Sequence, residues 1–222
     1  MPFRLVRVRR RRSVLIRVTP DGAVEVRGPP RCTVAQAHEV LYRHAGWLAR
    51  TLPRVRESAA RRPALADGTG LSVLDETLTL RVTSGARTVV RRAGAELHLT
   101  LPGEGESRIR AALEGWLRRE AHRRLPERLL ALARPIGVTP VRIVVRGQRT
   151  RWGSCSSRGT ISLNWRLLLV PSALVDYVLL HEACHLRHLS HSAAFWALVE
   201  SQMPDWANRR ARLRALQGTL PF

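Results

Sequence analysis

The residues with the clearest chemical meaning are two histidines and a glutamate, in the run His181-Glu182-Ala183-Cys184-His185. Residues four apart lie on the same face of an α-helix, so the two imidazoles can bind one zinc ion. Glu182, beside the first histidine, is placed to act as a base on a water molecule that the metal binds. The pattern predicts a metal-dependent hydrolase, and the alternative is a surface helix whose histidines are merely solvated.

Such a site needs a third ligand. His188 shares the helical face, but in a continuous helix it would lie about 10 Å along the axis from the first histidine, too far to surround a tetrahedral ion. His191 becomes available if the chain turns after His188, and the serines at positions 190 and 192 favour a turn and a new helix. Glu200, on that next helix, is an alternative oxygen ligand. We predict His191 as the third ligand.

The metal-binding segment must be held by the elements before it. Its helix is predicted to start at Pro171-Ser172, with Ser172 as N-cap. An alternating strand is predicted over residues 161–167. If this strand lies at an exposed sheet edge, it can pair with an extended peptide and hold the scissile carbonyl over the metal; the alternative is ordinary sheet structure. We expect the cleft to be lined by residues of this region, namely Arg151, Trp152, Asn164, Trp165 and Arg166, although tryptophan is more often a core residue.

The N-terminal part is predicted to form an extension of its own over residues 1–57. It shows a β-hairpin over residues 13–27, with Pro20-Asp21-Gly22 as the turn, and a helix capped by Thr33 that runs to about Thr51. Residues 58–70 have the composition of a linker.

The remaining residues, 71–222, are predicted to form the domain that carries the metal-binding helix. Residues 71–101 are rich in β-branched and alternating apolar residues, with glycines at the turns. A long helix follows over residues 107–133, which Pro126 is expected to break or kink.

Composition indicates a globular protein outside the membrane. The chain has 222 residues, of which 45% are hydrophobic, and neither a bilayer-length apolar run nor a signal peptide. A cytoplasmic location follows as an expectation. Its three cysteines, Cys32, Cys155 and Cys184, form no disulfide framework, and a thiol ligand role for Cys155 or Cys184 is an alternative to a packed position.

The charge is strongly positive. The formal net charge is +21, and all 38 basic residues are arginine. Six of them fall in the first twelve residues: Arg4, Arg7, Arg9, Arg10, Arg11 and Arg12. Such a chain attracts polyanions, and DNA or another nucleic acid is the expected partner; the alternative is a generally basic surface without a dedicated site.

Beyond the histidine motif, several sequence blocks resemble those of the YgjP-like metallopeptidase family, a relative of the SprT-like and Wss1-like zinc proteases. The blocks are Arg151-Trp152-Gly153-Ser154-Cys155, the strand through Leu163-Asn164-Trp165-Arg166, Asp176-Tyr177-Val178, the segment from His181 through His191-Ser192 to Phe195-Trp196, and Met203-Pro204-Asp205. The match is dense from about residue 138 to residue 215.

The resemblance implies an α+β fold: a minimal zincin-like catalytic domain, with a small sheet plus an active-site helix, behind an N-terminal α/β extension. It implies Zn2+ as cofactor, with His181, His185 and His191 as ligands and Glu182 as the general base. The implied activity is hydrolysis of peptide bonds in a protein or peptide substrate by a Glu-activated, zinc-bound water.

Two other activities remain open at this point. At least one YgjP-like protein is described as a UTP pyrophosphatase, so a metal-dependent nucleoside triphosphate pyrophosphatase is the alternative, although the chain lacks a phosphate-binding glycine-rich loop. SprT-like relatives include proteases that act on DNA-attached proteins, and the basic charge agrees with association with DNA. A nucleic-acid-binding module with a structural metal is less consistent with three ligands and an adjacent glutamate, because structural zinc sites have four protein ligands.

Overall fold

The computed structural model describes residues 1–19, 22–60, 64–148 and 150–216. The chain divides at Pro63–Ala64 into two compact units. The hairpin turn predicted at Pro20-Asp21 and part of the predicted linker lie outside the described residues. The predicted domain boundaries at residues 57 and 71 stay a prediction.

A three-stranded sheet forms one layer of the first unit. The strands β1 (Arg4–Arg7), β2 (Leu15–Val18) and β3 (Val24–Gly28) lie in the order β1-β3-β2. β3 is parallel to β1 and antiparallel to β2. The β2–β3 pair is the predicted hairpin.

Two helices pack on this sheet through a small core of Val24, Val26, Ala37, Leu41, Leu48 and Leu52. Helix α1 (Val34–Arg43) starts at the predicted cap, Thr33, which forms a capping box with Gln36. The prediction of one helix to about Thr51 is wrong, because α1 ends at Arg43, with His44 as its C-cap, and α2 (Ala45–Ala60) follows. The Nδ1 atom of His44 donates to the carbonyl of Val40 at 2.9 Å and so satisfies a carbonyl of the last turn.

A four-stranded sheet opens the second unit. The strands β4 (Gly70–Val73), β5 (Glu76–Ser84), β6 (Val89–Ala93) and β7 (Glu96–Leu101) lie in the order β4-β5-β7-β6. Only the central pair, β5 and β7, is parallel.

The long helix α3 (Glu106–Ala133) follows this sheet. It runs through Pro126, so the helix is not broken there, and the alternative, a kink, stays a prediction. The neighbouring side chains Leu125 and Leu129 are fully buried. Burial of these side chains offsets the loss of the one backbone hydrogen bond that proline cannot donate.

A second sheet lies next to the histidine segment. The strands β8 (Arg142–Arg146), β9 (Gly153–Cys155) and β10 (Thr160–Asn164) lie in the order β8-β10-β9. β10 therefore has a neighbour on each side, and the hypothesis that residues 161–167 form an exposed edge is wrong. The strand also ends earlier than predicted, because the Asn164 side chain accepts a hydrogen bond from the Arg166 backbone and a 3₁₀ helix (Trp165–Leu169) begins there.

Three helices complete the second unit: α4 (Ser172–Cys184), α5 (Ala193–Gln202) and α6 (Trp206–Ala215). α4 packs against α3, and Arg128 of α3 forms a bidentate ion pair with Asp176 of α4. Ser172 is not the N-cap of α4 as predicted. It is the first helical residue, and the carboxylate of Asp75, in the β4–β5 turn, accepts hydrogen bonds from its backbone N–H and its hydroxyl.

The α+β fold class is confirmed, with small sheets and a histidine-bearing helix in the second unit. Within the described ranges, no helix is long and apolar enough to cross a membrane.

Candidate metal centre

Three histidines converge at the C-terminal end of α4. The Nε2 atom of His181 lies 3.2 Å from Nε2 of His185 and 3.1 Å from Nε2 of His191. The ligand atoms of all three lie within 4.8 Å of one another. α4 ends at Cys184, and α5 begins only after Ser192, whose hydroxyl accepts a hydrogen bond from the Phe195 backbone. The turn between the two helices brings His191 back to the pair on α4.

His188 contributes its backbone to this arrangement. Its carbonyl accepts a hydrogen bond from Nδ1 of His185 at 3.0 Å. With Nδ1 protonated, Nε2 of His185 carries the lone pair that faces the other two rings. Such a bond to the distal ring nitrogen is common in metal-binding histidines. His188 therefore orients a ring of the cluster through its main chain.

The other ligand candidates stay outside the cluster. Among the described residues, the converging group contains His181, His185 and His191 but not Glu200, which is exposed on α5. Burial raises the pKa of Cys155 and of Cys184 to about 11, so both thiols stay protonated. Cys184 is packed in the core.

The protonation of His181 and His185 fits a metal ion. Burial, followed by the neighbouring imidazoles and Arg210, lowers the pKa of His181 to about 3. Burial also lowers the pKa of His185. A neutral imidazole is the form that binds a metal. Lone pairs that face one another at these distances repel unless a cation lies among them, so the three histidines fit a divalent ion of the kind that prefers imidazole, such as zinc.

An aromatic floor holds the rings in place. Phe195 is fully buried and stacks on His185, with ring centroids 4.5 Å apart. Its ring also meets the edges of His181 and His191, at centroid distances of 5.0 and 4.9 Å. Trp196 stacks on His191 at 5.5 Å. The Phe-Trp pair that begins four residues after His191 was a sequence signal for this floor, but the histidine spacing alone does not reveal it.

Glu182 lies beside the cluster and is only 6% exposed. A Cβ atom at Gly153 of β9 would lie 2.6 Å from Oε1 of Glu182, so the missing side chain of this glycine makes room for the carboxylate. Burial raises the pKa of Glu182 to about 8, and the charge of Arg151 opposes that shift. The sequence did not single out Gly153, because its value depends on a contact between distant segments.

The predicted cleft residues differ in what they contact. Arg151 is exposed and its charge acts on Glu182, whereas Trp152 packs partly against the core. Asn164 is buried, and its amide donates to the carbonyls of Gln148 and Arg151 at 2.8 and 3.0 Å. Asn164 thus holds the loop before β9, and its place in a substrate cleft stays a prediction.

Trp165 and Arg166 lie in the 3₁₀ helix. The Trp165 ring is fully buried, and the Arg166 guanidinium lies over it at 4.3 Å from the ring centroid. Trp165 is therefore a core residue, and Arg166 packs on it.

A histidine triad beside a buried glutamate, in an α+β domain, is the arrangement that metal-dependent hydrolases use. The sequence model of the family described as YgjP-like, metallopeptidase domain, matches residues 12–216. The chain belongs to this family, and the resemblance found in the sequence is confirmed.

The metallopeptidase zymogen of Pyrococcus abyssi abylysin, known from a crystal structure, is similar to part of this chain. The two are 25% identical with a TM-score of 0.38, and the alignment covers 41% of this chain and 92% of that one. No curated protein matches the chain.

Proposed function

We propose that the protein is a zinc-dependent metallopeptidase in which His181, His185 and His191 bind the metal and Glu182 is the general base. The observation that carries this proposal is the convergence of the three Nε2 atoms beside a buried carboxylate, in a chain of a metallopeptidase family. A bound zinc ion would supply Lewis acidity, lowering the pKa of water and polarising a carbonyl.

The chain's own groups then move the proton. Glu182 accepts at its carboxylate the proton that water loses as its oxygen adds to the scissile carbonyl carbon. It passes that proton to the amine nitrogen as the C–N bond breaks. Gly153 leaves the space that this carboxylate occupies, and burial shields it from bulk water.

A protein or peptide in extended form is the proposed substrate, and β9 is the element best placed to bind it. In the described part of the chain β9 pairs only with β10, so its other edge is free to add a strand. Gly153, the first residue of β9, contacts Glu182. A peptide along this edge would bring its backbone carbonyls close to the base.

A UTP pyrophosphatase is the second candidate, and Arg151 supports it. The positive charge of Arg151 opposes the rise in the pKa of Glu182, and Arg151 forms no ion pair with a carboxylate among the described residues. A free guanidinium beside a metal centre suits a phosphate group. The sequence has no glycine-rich phosphate loop, which favours the peptidase.

Association with DNA is proposed from charge. Residues 1–63 contain fifteen arginines and four acidic residues. Such a density of positive charge binds the phosphate backbone without reading sequence.

One experiment separates the two enzymatic candidates. Zinc-loaded wild-type protein and Glu182→Gln are assayed for casein cleavage, with and without DNA, and for release of pyrophosphate from UTP. We expect Glu182→Gln to keep its zinc and to lose about 10²-fold or more of the proteolysis, as for loss of a general base. Glu200→Gln, which changes an exposed glutamate on α5, is the matched control and should retain activity.

The assay contradicts the peptidase proposal if zinc-loaded wild-type protein cleaves nothing under either condition. Pyrophosphate release that is lost together with zinc in His185→Ala would then establish the second candidate.

A further inference from the structure

Arg210 of α6 lies next to the metal centre and has no role in the proposed mechanism. Its Cζ atom lies 5.1 Å from the centroid of the Trp196 ring. Trp196 in turn stacks on His191 at 5.5 Å, with 23° between the ring planes, and on Trp206 at 4.3 Å. The guanidinium and a histidine of the cluster therefore contact the same aromatic ring.

The helix that carries Arg210 packs against the helices that carry the cluster. α6 contacts α4, on which His181 and His185 lie, and Trp206 of α6 stacks on Trp196 of α5. The guanidinium is thus close to both elements beside the histidines.

Arg210 has no counter-ion. In the part of the chain that the structure describes, no carboxylate or carbonyl accepts from its guanidinium. Its neighbour Arg209 is different, since it is ion-paired with Asp205 at 2.8 Å and donates to the carbonyl of Ala173 at 2.9 Å. A half-buried guanidinium held on an aromatic ring offers free N–H donors in a fixed plane.

We propose that Arg210, supported by Trp196, is an anion-binding residue that takes an anionic oxygen group of the substrate beside the three-histidine centre. The group is the carboxylate of an acidic peptide or the phosphate of a nucleotide, because both present paired oxygens that match the guanidinium fork. Which of these two groups the substrate carries rests on the proposed function. Anion binding itself does not, because it requires no turnover.

Binding to zinc-loaded, full-length protein tests this directly. The probes are inorganic phosphate, N-acetyl-glutamate amide and, as its neutral counterpart, N-acetyl-glutamine amide, with dissociation constants from titration calorimetry. We expect Arg210→Gln to weaken binding of at least one anion by about tenfold, the equivalent of one charge-assisted hydrogen bond. The neutral amide should bind wild-type protein and variant alike.

Arg212→Gln is the matched control. It removes the same charge from the same helix, but Arg212 is exposed and acts on Asp205 instead of the histidines. Its effect should stay within about twofold, because an exposed charge is screened by salt. Zinc content and thermal unfolding are measured for each variant. If Arg210→Gln does not fold, Arg210→Lys decides, since it retains the charge but lacks the planar fork; wild-type affinity in that variant overturns the proposal.

Each outcome is decisive. Unchanged affinity in Arg210→Gln means that the anion contacts only the metal, and equal losses in Arg210→Gln and Arg212→Gln assign the effect to overall charge. Either result overturns the proposal, as does wild-type protein that binds neither anion. Tighter binding of phosphate indicates a nucleotide substrate, and tighter binding of the glutamate probe indicates an acidic peptide. Anion binding that depends on Arg210, in a protein that shows no proteolysis, contradicts only the peptidase proposal and supports the role of Arg210.

Discussion

At the scale of single residues, the closest fit in the site is between Gly153 and Glu182. A methyl group at position 153 would lie 2.6 Å from Oε1, 2.7 Å from Cγ and 2.8 Å from Cδ of the glutamate. The whole carboxylate end would have to move, because the group is buried and has little room elsewhere. Glycine is required here for space and not for backbone conformation, since Gly153 is not among the glycines with a positive φ.

Gly153→Ala should therefore impair catalysis and leave the metal in place. We expect kcat to fall by about 10²-fold, the cost of displacing a catalytic group by about 1 Å. The three atoms nearest to the added methyl group all belong to Glu182, so zinc content should match that of the wild type. Ser154→Ala, the next residue of β9, is the control. Wild-type kcat in Gly153→Ala would mean that Glu182 does not act from the position seen here.

At the scale of elements, the start of α4 depends on a distant turn. Asp75 binds both the backbone N–H and the hydroxyl of Ser172, and these bonds, with the charge of Arg128, hold its pKa below its ordinary value of 3.8. Leu74, next to it, has a φ of 57° and donates its N–H to the carbonyl of Leu168. The β4–β5 turn thus acts as an external cap for the helix that carries the histidines.

Asp75→Ala should destabilise the second unit by about 1 kcal/mol, as for loss of a helix cap. A carboxyl group whose pKa is lower in the folded state stabilises the fold above its unfolded pKa. The difference between wild type and variant should therefore be full above about pH 5 and shrink as the pH falls through the folded pKa of Asp75. Chemical denaturation at several pH values measures this.

Ser172→Ala provides the comparison, because it removes the hydroxyl bond and keeps the backbone bond to Asp75. It should cost less than Asp75→Ala. Equal stability of Asp75→Ala and wild type at neutral pH would show that the turn does not cap α4.

The sequence predicted the elements whose signals are local. The four-residue spacing of His181 and His185 corresponds to one helical turn, and Thr33 directly precedes the first residue of the helix that it caps. The cap of α4 was misassigned to Ser172, because its actual partner, Asp75, lies 97 residues away. β10 was taken for an edge because its alternation shows one buried face but not which strands pair beside it. Gly153 was missed for the same reason.

At the scale of the whole molecule, some of the arginines are ion-paired with carboxylates and others are not. Along α3 of the second unit, arginines lie one turn from glutamates and pair with them, as in Arg118–Glu114 and Arg124–Glu120. In the first unit, the exposed residues Arg9, Arg10 and Arg12 have no ion-pair partner in the described ranges. Unpaired exposed arginines remain available to phosphates, whereas paired ones are partly neutralised.

This difference gives the test of DNA association. Affinity for a duplex oligonucleotide, measured by fluorescence anisotropy over a range of salt concentrations, should fall linearly on a log–log plot with a slope of about −0.9 for each neutralised phosphate. Replacing Arg9, Arg10 and Arg12 together by Gln should weaken binding and make the slope shallower by about 2 to 3. Replacing the paired residues Arg110, Arg118 and Arg123 by Gln changes the net charge equally but should leave the slope near that of the wild type. Equal changes in both triple variants would show that DNA responds only to total charge, and a wild-type affinity independent of salt would contradict electrostatic binding altogether.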